Sequence, residues 1–159
     1  MNLLYKPDWE ETKERYRAWW AHESIGRCGL AVTAPCDNPP DTPAPVAPLD
    51  PVERWTDLDF ISALGTYRNS RTFFGGEAFP VWDYGYPGNK RLATFLGCPL
   101  ELDHKTGWLE PILTGEDIDF EALHLDESGR WWKFTLEWLR RAALEAPGTC
   151  LPAVGAFGG

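Results

Sequence analysis

The chain has no run of eighteen or more apolar residues, so no transmembrane helix is expected. Nor does it have an excess of positive charge. Fifteen Lys and Arg face 24 Asp and Glu, for a formal net charge of −9. That balance argues against nucleic-acid binding through phosphates and against adhesion to an anionic membrane. The opening residues, MNLLYKPDWEETKERY, soon turn acidic and lack the apolar stretch of a secretory signal, so a cytoplasmic setting is expected. Cysteine is sparse. Cys28, Cys36, Cys98 and Cys150 show no CxxC spacing, and free buried thiols are expected in place of disulfides or a zinc knuckle. GxSxG, P-loop and HExxH motifs are missing, as are a dinucleotide-binding glycine loop and internal repeats.

What is present suits one domain with a sizeable core: 159 residues, 43% of them hydrophobic. Nine tryptophans stand in polar company. Asp8 and Glu11 form a capping-box-like start, after Pro7, for a helix running from Trp9 to about Ser24–Gly26. Its larger apolar side chains, Trp9, Tyr16, Trp19 and Trp20, fall near one face. Cys28 to Ala34 reads as a buried strand stopped by Pro35. Seven prolines between residues 35 and 51 make an extended connector. A second helix is expected over Leu58 to Thr72, capped by Asp57 or Asp59. A short helix over Asn89 to Leu96 should close at Gly97, followed by a β-hairpin over Pro99 to Leu113 with its turn at Lys105–Gly107. A long helix from Gly129 to Ala146, capped by Asp126 or Ser128, ends at Pro147-Gly148 and feeds an apolar strand over Cys150 to Phe157. A helix passing through a short turn into a buried strand opens an α/β unit, so the chain is expected to be the N-terminal part of a longer α/β protein.

Chemistry is best sought between Phe73 and Gly88, FFGGEAFPVWDYGYPG, where aromatic rings alternate with glycines around two carboxylates. Rings and glycines together suit a pocket wall, with backbone close to a ligand at Gly75 and Gly76. Asp83, between Trp82 and Tyr84, suits proton transfer or the holding of a substrate N–H. Glu77, after the Gly75-Gly76 bend, is the second carboxylate, with acceptance of local backbone N–H groups as its plain structural role. Tyr84 and Tyr86 can each present a hydroxyl on an apolar ring. Arg68, Arg71, Lys90 and Arg91 flank the segment as a rim that could attract a polyanion or simply form a solvated face. His22, at a helix end, His104 and His124 read as structural or surface residues.

Several stretches are similar to the uroporphyrinogen decarboxylase superfamily, and within it to the uncharacterised uroporphyrinogen decarboxylase-like branch. They are Pro7–Thr12 with its Trp-rich helix, Trp55–Asp59, Arg71–Trp82, Gly85–Gly88, Phe95–Pro99 and Thr106–Trp108. The resemblance spans nearly the whole chain. It implies an α/β fold: the N-terminal portion of a (β/α)8 TIM barrel with preceding helices, a Pro-rich connector and a β-hairpin, cut at an early barrel strand. By family default the activity is decarboxylation of a tetrapyrrole-type carboxylic acid, with no resident cofactor. Ala78–Asp83 is similar to the family run that ends in the pyrrole-binding aspartate, which makes Asp83 the catalytic candidate. Glu77, Tyr84, Tyr86, Gly75 and Gly76 are the substrate-binding candidates, and no metal ligand is expected.

The family places an arginine-bearing loop where this chain has Thr33-Ala-Pro35. The alternative on the same barrel is corrinoid-dependent methyl transfer using zinc, whose ligands would lie past Gly159. A Trp-rich carbohydrate-binding module is a further alternative. The expected partner is a small-molecule substrate, with a homodimer at full length, and this piece alone is expected to be inactive.

Overall fold

The computed structural model describes residues 2–82, 91–113 and 119–153. Helices and strands are mixed along the chain, and among the described residues the strands form three separate two-stranded sheets, none closed on itself. Residues group into two compact units. Of the described residues, one comprises 2–45, 62–82 and 142–153, and the other 46–61, 91–113 and 119–141.

In the first unit, helix α1 spans Trp9–Trp20. Asp8 occupies the N-cap position but makes no side-chain cap bond, because its carboxylate pairs with Lys6 at 2.9 Å and Arg15 at 3.2 Å. The helix stops several residues before the expected end. His22 adopts a left-handed φ of 59°, with its N–H donating to the Trp19 carbonyl and the Glu23 N–H donating to that of Ala18. This double closure satisfies last-turn carbonyls of the helix. The buried face carries Trp9 and Thr12, while Trp19 and Trp20 remain 55% and 73% exposed. Periodicity alone had grouped all four large rings on one face.

Strand β1, Ala31–Pro35, pairs antiparallel with β2, Thr72–Gly76, in the register Ala31↔Gly76 to Pro35↔Thr72. Every residue of β1 is exposed, which corrects the buried strand expected at Cys28–Ala34, and Pro35 belongs to the strand as its last residue. A short apolar run signals a strand but not the layer that would cover it. No helix or strand forms from Cys36 to Asp50, as the prolines dictate.

Strand β3, Val81–Trp82, pairs in parallel with β6, Leu151–Pro152. The Leu151 N–H donates to the Pro80 carbonyl at 3.0 Å, and the Ala153 N–H to that of Trp82 at 3.2 Å. The last described strand therefore has a partner within the chain, although residues 154–159 of the expected strand lie outside the described residues. All cysteines in the structure are free, and only Cys150 is buried.

The second unit begins with an unexpected helix, α2, Pro51–Thr56, capped by Asp50 and opened by Pro51 at a position where its missing N–H costs nothing. Helix α3, Leu58–Asn69, starts in this unit and ends in the first, and Asp57 is its cap: its carboxylate accepts from the Asp59 and Phe60 N–H groups. Helix α4, Arg91–Phe95, closes at Gly97 with φ 93°. Strands β4, Leu100–Leu102, and β5, Gly107–Leu109, form the expected hairpin, with Asp103 accepting from Lys105 and Thr106 N–H in the turn. Helix α5, Arg130–Glu145, also runs from one unit into the other, and buries Thr135, Trp138 and Ala142 at helical spacing. The Phe95 ring meets Trp132 edge-on at 5.1 Å.

Gly76 is the position where backbone freedom is indispensable. Its φ is 59°, and an added Cβ would stand 2.1 Å from the Leu30 carbonyl oxygen. Gly148 also has a left-handed φ, of 80°, but open space around it. Gly76→Ala is therefore expected to cost well over the ~1–2 kcal/mol of left-handed strain alone, and Gly148→Ala about that strain. Equilibrium denaturation of the two variants checks the difference.

Candidate functional site

The turn after β2 carries Glu77, 6% exposed, into a cage of donors. Its Oε1 accepts from Arg15 Nε at 2.7 Å and Arg27 Nη2 at 2.6 Å. Its Oε2 accepts from Arg27 Nη1 at 2.9 Å and the Leu30 N–H at 2.6 Å. Each carboxylate oxygen thus has two donors, which accounts for its accepting capacity. The Glu77 N–H donates to the Leu30 carbonyl at 3.0 Å, and the Glu77 carbonyl accepts from Tyr16 Oη at 2.9 Å. The Arg27 hydrogen bonds, helped by those from Leu30 and Arg15, hold the Glu77 carboxyl down to about 2 against the opposing effect of burial.

A second set of charges supports the same turn. Lys6 is wholly buried, and its ammonium donates to the carbonyls of Phe74 at 2.9 Å and Gly76 at 2.8 Å while pairing with Asp8. Arg15 Nη2 donates to Asp8, to Thr12 at 2.8 Å and to the Gly76 carbonyl at 3.2 Å. Burial opposes ionisation of Asp8, but its bonds from Lys6 and Arg15 outweigh that and lower its pKa. Three cations and two buried or half-buried carboxylates therefore converge on the Gly76–Glu77 turn. Burying so much charge is tolerable only because every member has a partner.

Beside this turn lies a cleft of about 220 Å3 lined by Arg15, Tyr16, Trp19, Ile25, Leu30 and Glu77, together with Gly29 and Ala31. Behind α1, Phe79 packs against Trp9 at 5.3 Å and edge-on to Tyr16 at 5.8 Å.

Of the residues singled out in the sequence, Asp83, Tyr84 and Tyr86 lie outside the described residues, as does Lys90. Gly75 and Gly76 lie in β2, and the close approach at Gly76 is to the chain's own Leu30 carbonyl. Glu77 is turned inward, but its acceptors are filled by arginines and backbone from this chain, beyond the local backbone role weighed for it. Arg71 stacks over Tyr67 at 4.2 Å and donates to the Thr42 carbonyl. Sequence reasoning missed Lys6, Arg15 and Arg27. No local signal ties them to this turn, because the partners that do so, Phe74, Gly76 and Glu77, lie 50 to 70 positions away. Among the described residues, no group of three or more His, Cys, Asp and Glu side chains could hold a metal. No described helix is long and apolar enough to cross a membrane.

No protein-family model, no curated protein and no solved structure matches this chain.

Glu77→Ala leaves two guanidinium groups without their shared anion. The expected loss is about 3 kcal/mol, under the full penalty for a broken buried pair because the Arg27 side chain stays 44% exposed. The folded-state pKa of Glu77 is depressed, so its contribution is present above an unfolded pKa near 4.5 and is lost as pH falls towards about 2. Denaturation midpoints measured from pH 5 to pH 2 should fall more steeply for the parent than for Glu77→Gln.

Proposed function

We propose that this chain is the N-terminal portion of a uroporphyrinogen decarboxylase-like enzyme built on a (β/α)8 barrel, acting on a tetrapyrrole-type carboxylic acid. The observation that carries this reading is the parallel pair β3–β6. Parallel neighbours require a long crossover, and here the second strand is delivered by α5 through the Pro147-Gly148 turn. A barrel starts from such units, with helices such as α1 preceding them.

In barrel enzymes the chemistry sits at the C-terminal ends of strands. In sequence, Asp83 directly follows Trp82, the last residue of β3. An aspartate there would accept pyrrole N–H groups while the bond to the departing carboxylate breaks, CO2 leaves and a proton takes its place. Tyr84 and Tyr86 follow in sequence and would supply substrate-binding hydroxyls. Glu77, Gly75 and Gly76 act on this reading as the structural base of the segment. The reading calls for no resident metal, whereas zinc or a corrinoid would belong to methyl transfer on the same barrel.

The full-length protein that carries this chain is expected to release CO2 from uroporphyrinogen. Asp83→Asn should abolish that release and leave the melting temperature within a few degrees. A folded full-length protein that releases no CO2 overturns the reading, and methyl transfer from a methylated corrinoid to a thiol would replace it. Activity surviving in Asp83→Asn removes Asp83 from the site.

A further inference from the structure

We propose that β1 pairs edge to edge with β1 of a second copy of this chain, antiparallel about Val32, in a symmetric dimer. In an antiparallel ladder, hydrogen-bonded positions alternate with positions whose backbone groups point away from the partner strand. The Glu77 N–H donates to the Leu30 carbonyl and the Cys36 N–H to that of Arg71. In the register of β1 and β2, Leu30, Val32, Ala34 and Cys36 therefore turn their backbone groups towards β2. Ala31, Thr33 and Pro35 turn theirs to the open side. The Ala31 and Thr33 N–H groups, and the carbonyls of Ala31, Thr33 and Pro35, have no hydrogen bond among the described residues.

The far edge of β2 is closed in a way that β1 is not. Lys6 takes up the outward carbonyls of Phe74 and Gly76. On β1 every residue is exposed, and no residue from Cys28 to Pro35 carries a charge. The charges that commonly blunt a free edge are thus missing, and only Pro35, at the strand's end, limits further pairing. A two-stranded sheet is marginal in water, and joining two copies of this one gives a sheet of four strands.

The edge is complementary to itself. Turned two-fold about Val32, Ala31 of each chain faces Thr33 of the other. The Ala31 N–H then donates to the Thr33 carbonyl of the second copy, and the Ala31 carbonyl accepts from that Thr33 N–H. Every free donor on both strands is satisfied, and Pro35, with no N–H to give, stands outside the bonded pairs. Val32, 41% exposed, meets its own counterpart at a non-hydrogen-bonded position, where side chains come closest. The exposed Phe73 ring lies on the same face, over Gly75 and beside Val32. Because the strand is uncharged, the chain's net charge of −9 sets no like charges opposite each other along it. Such an isologous contact closes at two copies.

Sedimentation velocity of the full-length protein at micromolar concentrations tests the interface, and a dimer is expected. The Thr33 N–H takes no part in the β1–β2 ladder, so Thr33→Pro removes an edge donor and leaves that ladder intact. It should weaken the dimer at least about tenfold with an unchanged circular dichroism spectrum. Val32→Lys changes an exposed side chain and sets two like charges face to face, so it should give a monomer. A monomeric parent protein overturns the proposal. So does a dimer that persists undiminished in both folded variants, since it uses another surface. Ala31 and Thr33 amides protected from hydrogen exchange in a monomer would show the edge covered by the protein's own chain, and overturn it too. The interface lies outside the parallel β3–β6 pair that carries the decarboxylase reading, and CO2 release is read separately, so either proposal can fail without the other.

Discussion

One carboxylate, that of Glu77, sets the arrangement of α1, the residues before β1 and the end of β2. A buried anion must collect donors or be neutralised, and Glu77 collects four from three parts of the chain: Arg15, Arg27 and the Leu30 N–H. The Leu30 bond continues the β1–β2 ladder past its last pair, Ala31↔Gly76, with a side-chain oxygen standing in for a carbonyl. Lys6 and Asp8 then tie the segment before α1 to the same turn. The left-handed Gly76 is the geometric condition for all of this, since only a residue without Cβ can pass so near the Leu30 carbonyl.

The network also explains why the N-cap of α1 is occupied in position but not in function. Asp8 could have capped its own helix, yet two cations compete for its carboxylate, and in the structure it pairs with both of them. The helix gives up about 1 kcal/mol of capping and gains an anchor to β2. The same accounting leaves Arg27 with an unused fork edge, because a single carboxylate can engage only one edge of a guanidinium.

Much of the fold was legible in residue order. Asp57, Gly97 and Gly148 do at their positions what their local chemistry dictates, because caps and turns are decided within a few residues. The Pro-rich stretch after residue 35 excluded regular structure for the same local reason. The candidate site was legible only in part. Glu77 stood out through its glycines, but its partners Arg15 and Arg27 look like any helix-face or strand-flanking cation. The burial of Lys6 contradicts the usual habit of lysine, and nothing near it in sequence announces that Phe74 and Gly76 will supply carbonyls. Exposure was read least well, as the open Trp19, Trp20 and β1 show, because periodicity gives a face and not the surface that meets it.

By itself, then, the sequence determined several elements: a helix after Pro7, a proline-rich connector, a hairpin between Pro99 and Leu113 and a long helix ended by Pro147-Gly148. These follow from dihedral preference and hydrogen bonds spanning a few residues. Tertiary structure alone decided that β6 lies parallel to β3 and that Lys6, Arg15 and Arg27 serve one turn. The reason is physical. A charge's partner, and a strand's neighbour, are chosen by distance in space, and the residues concerned are separated by 50 positions or more.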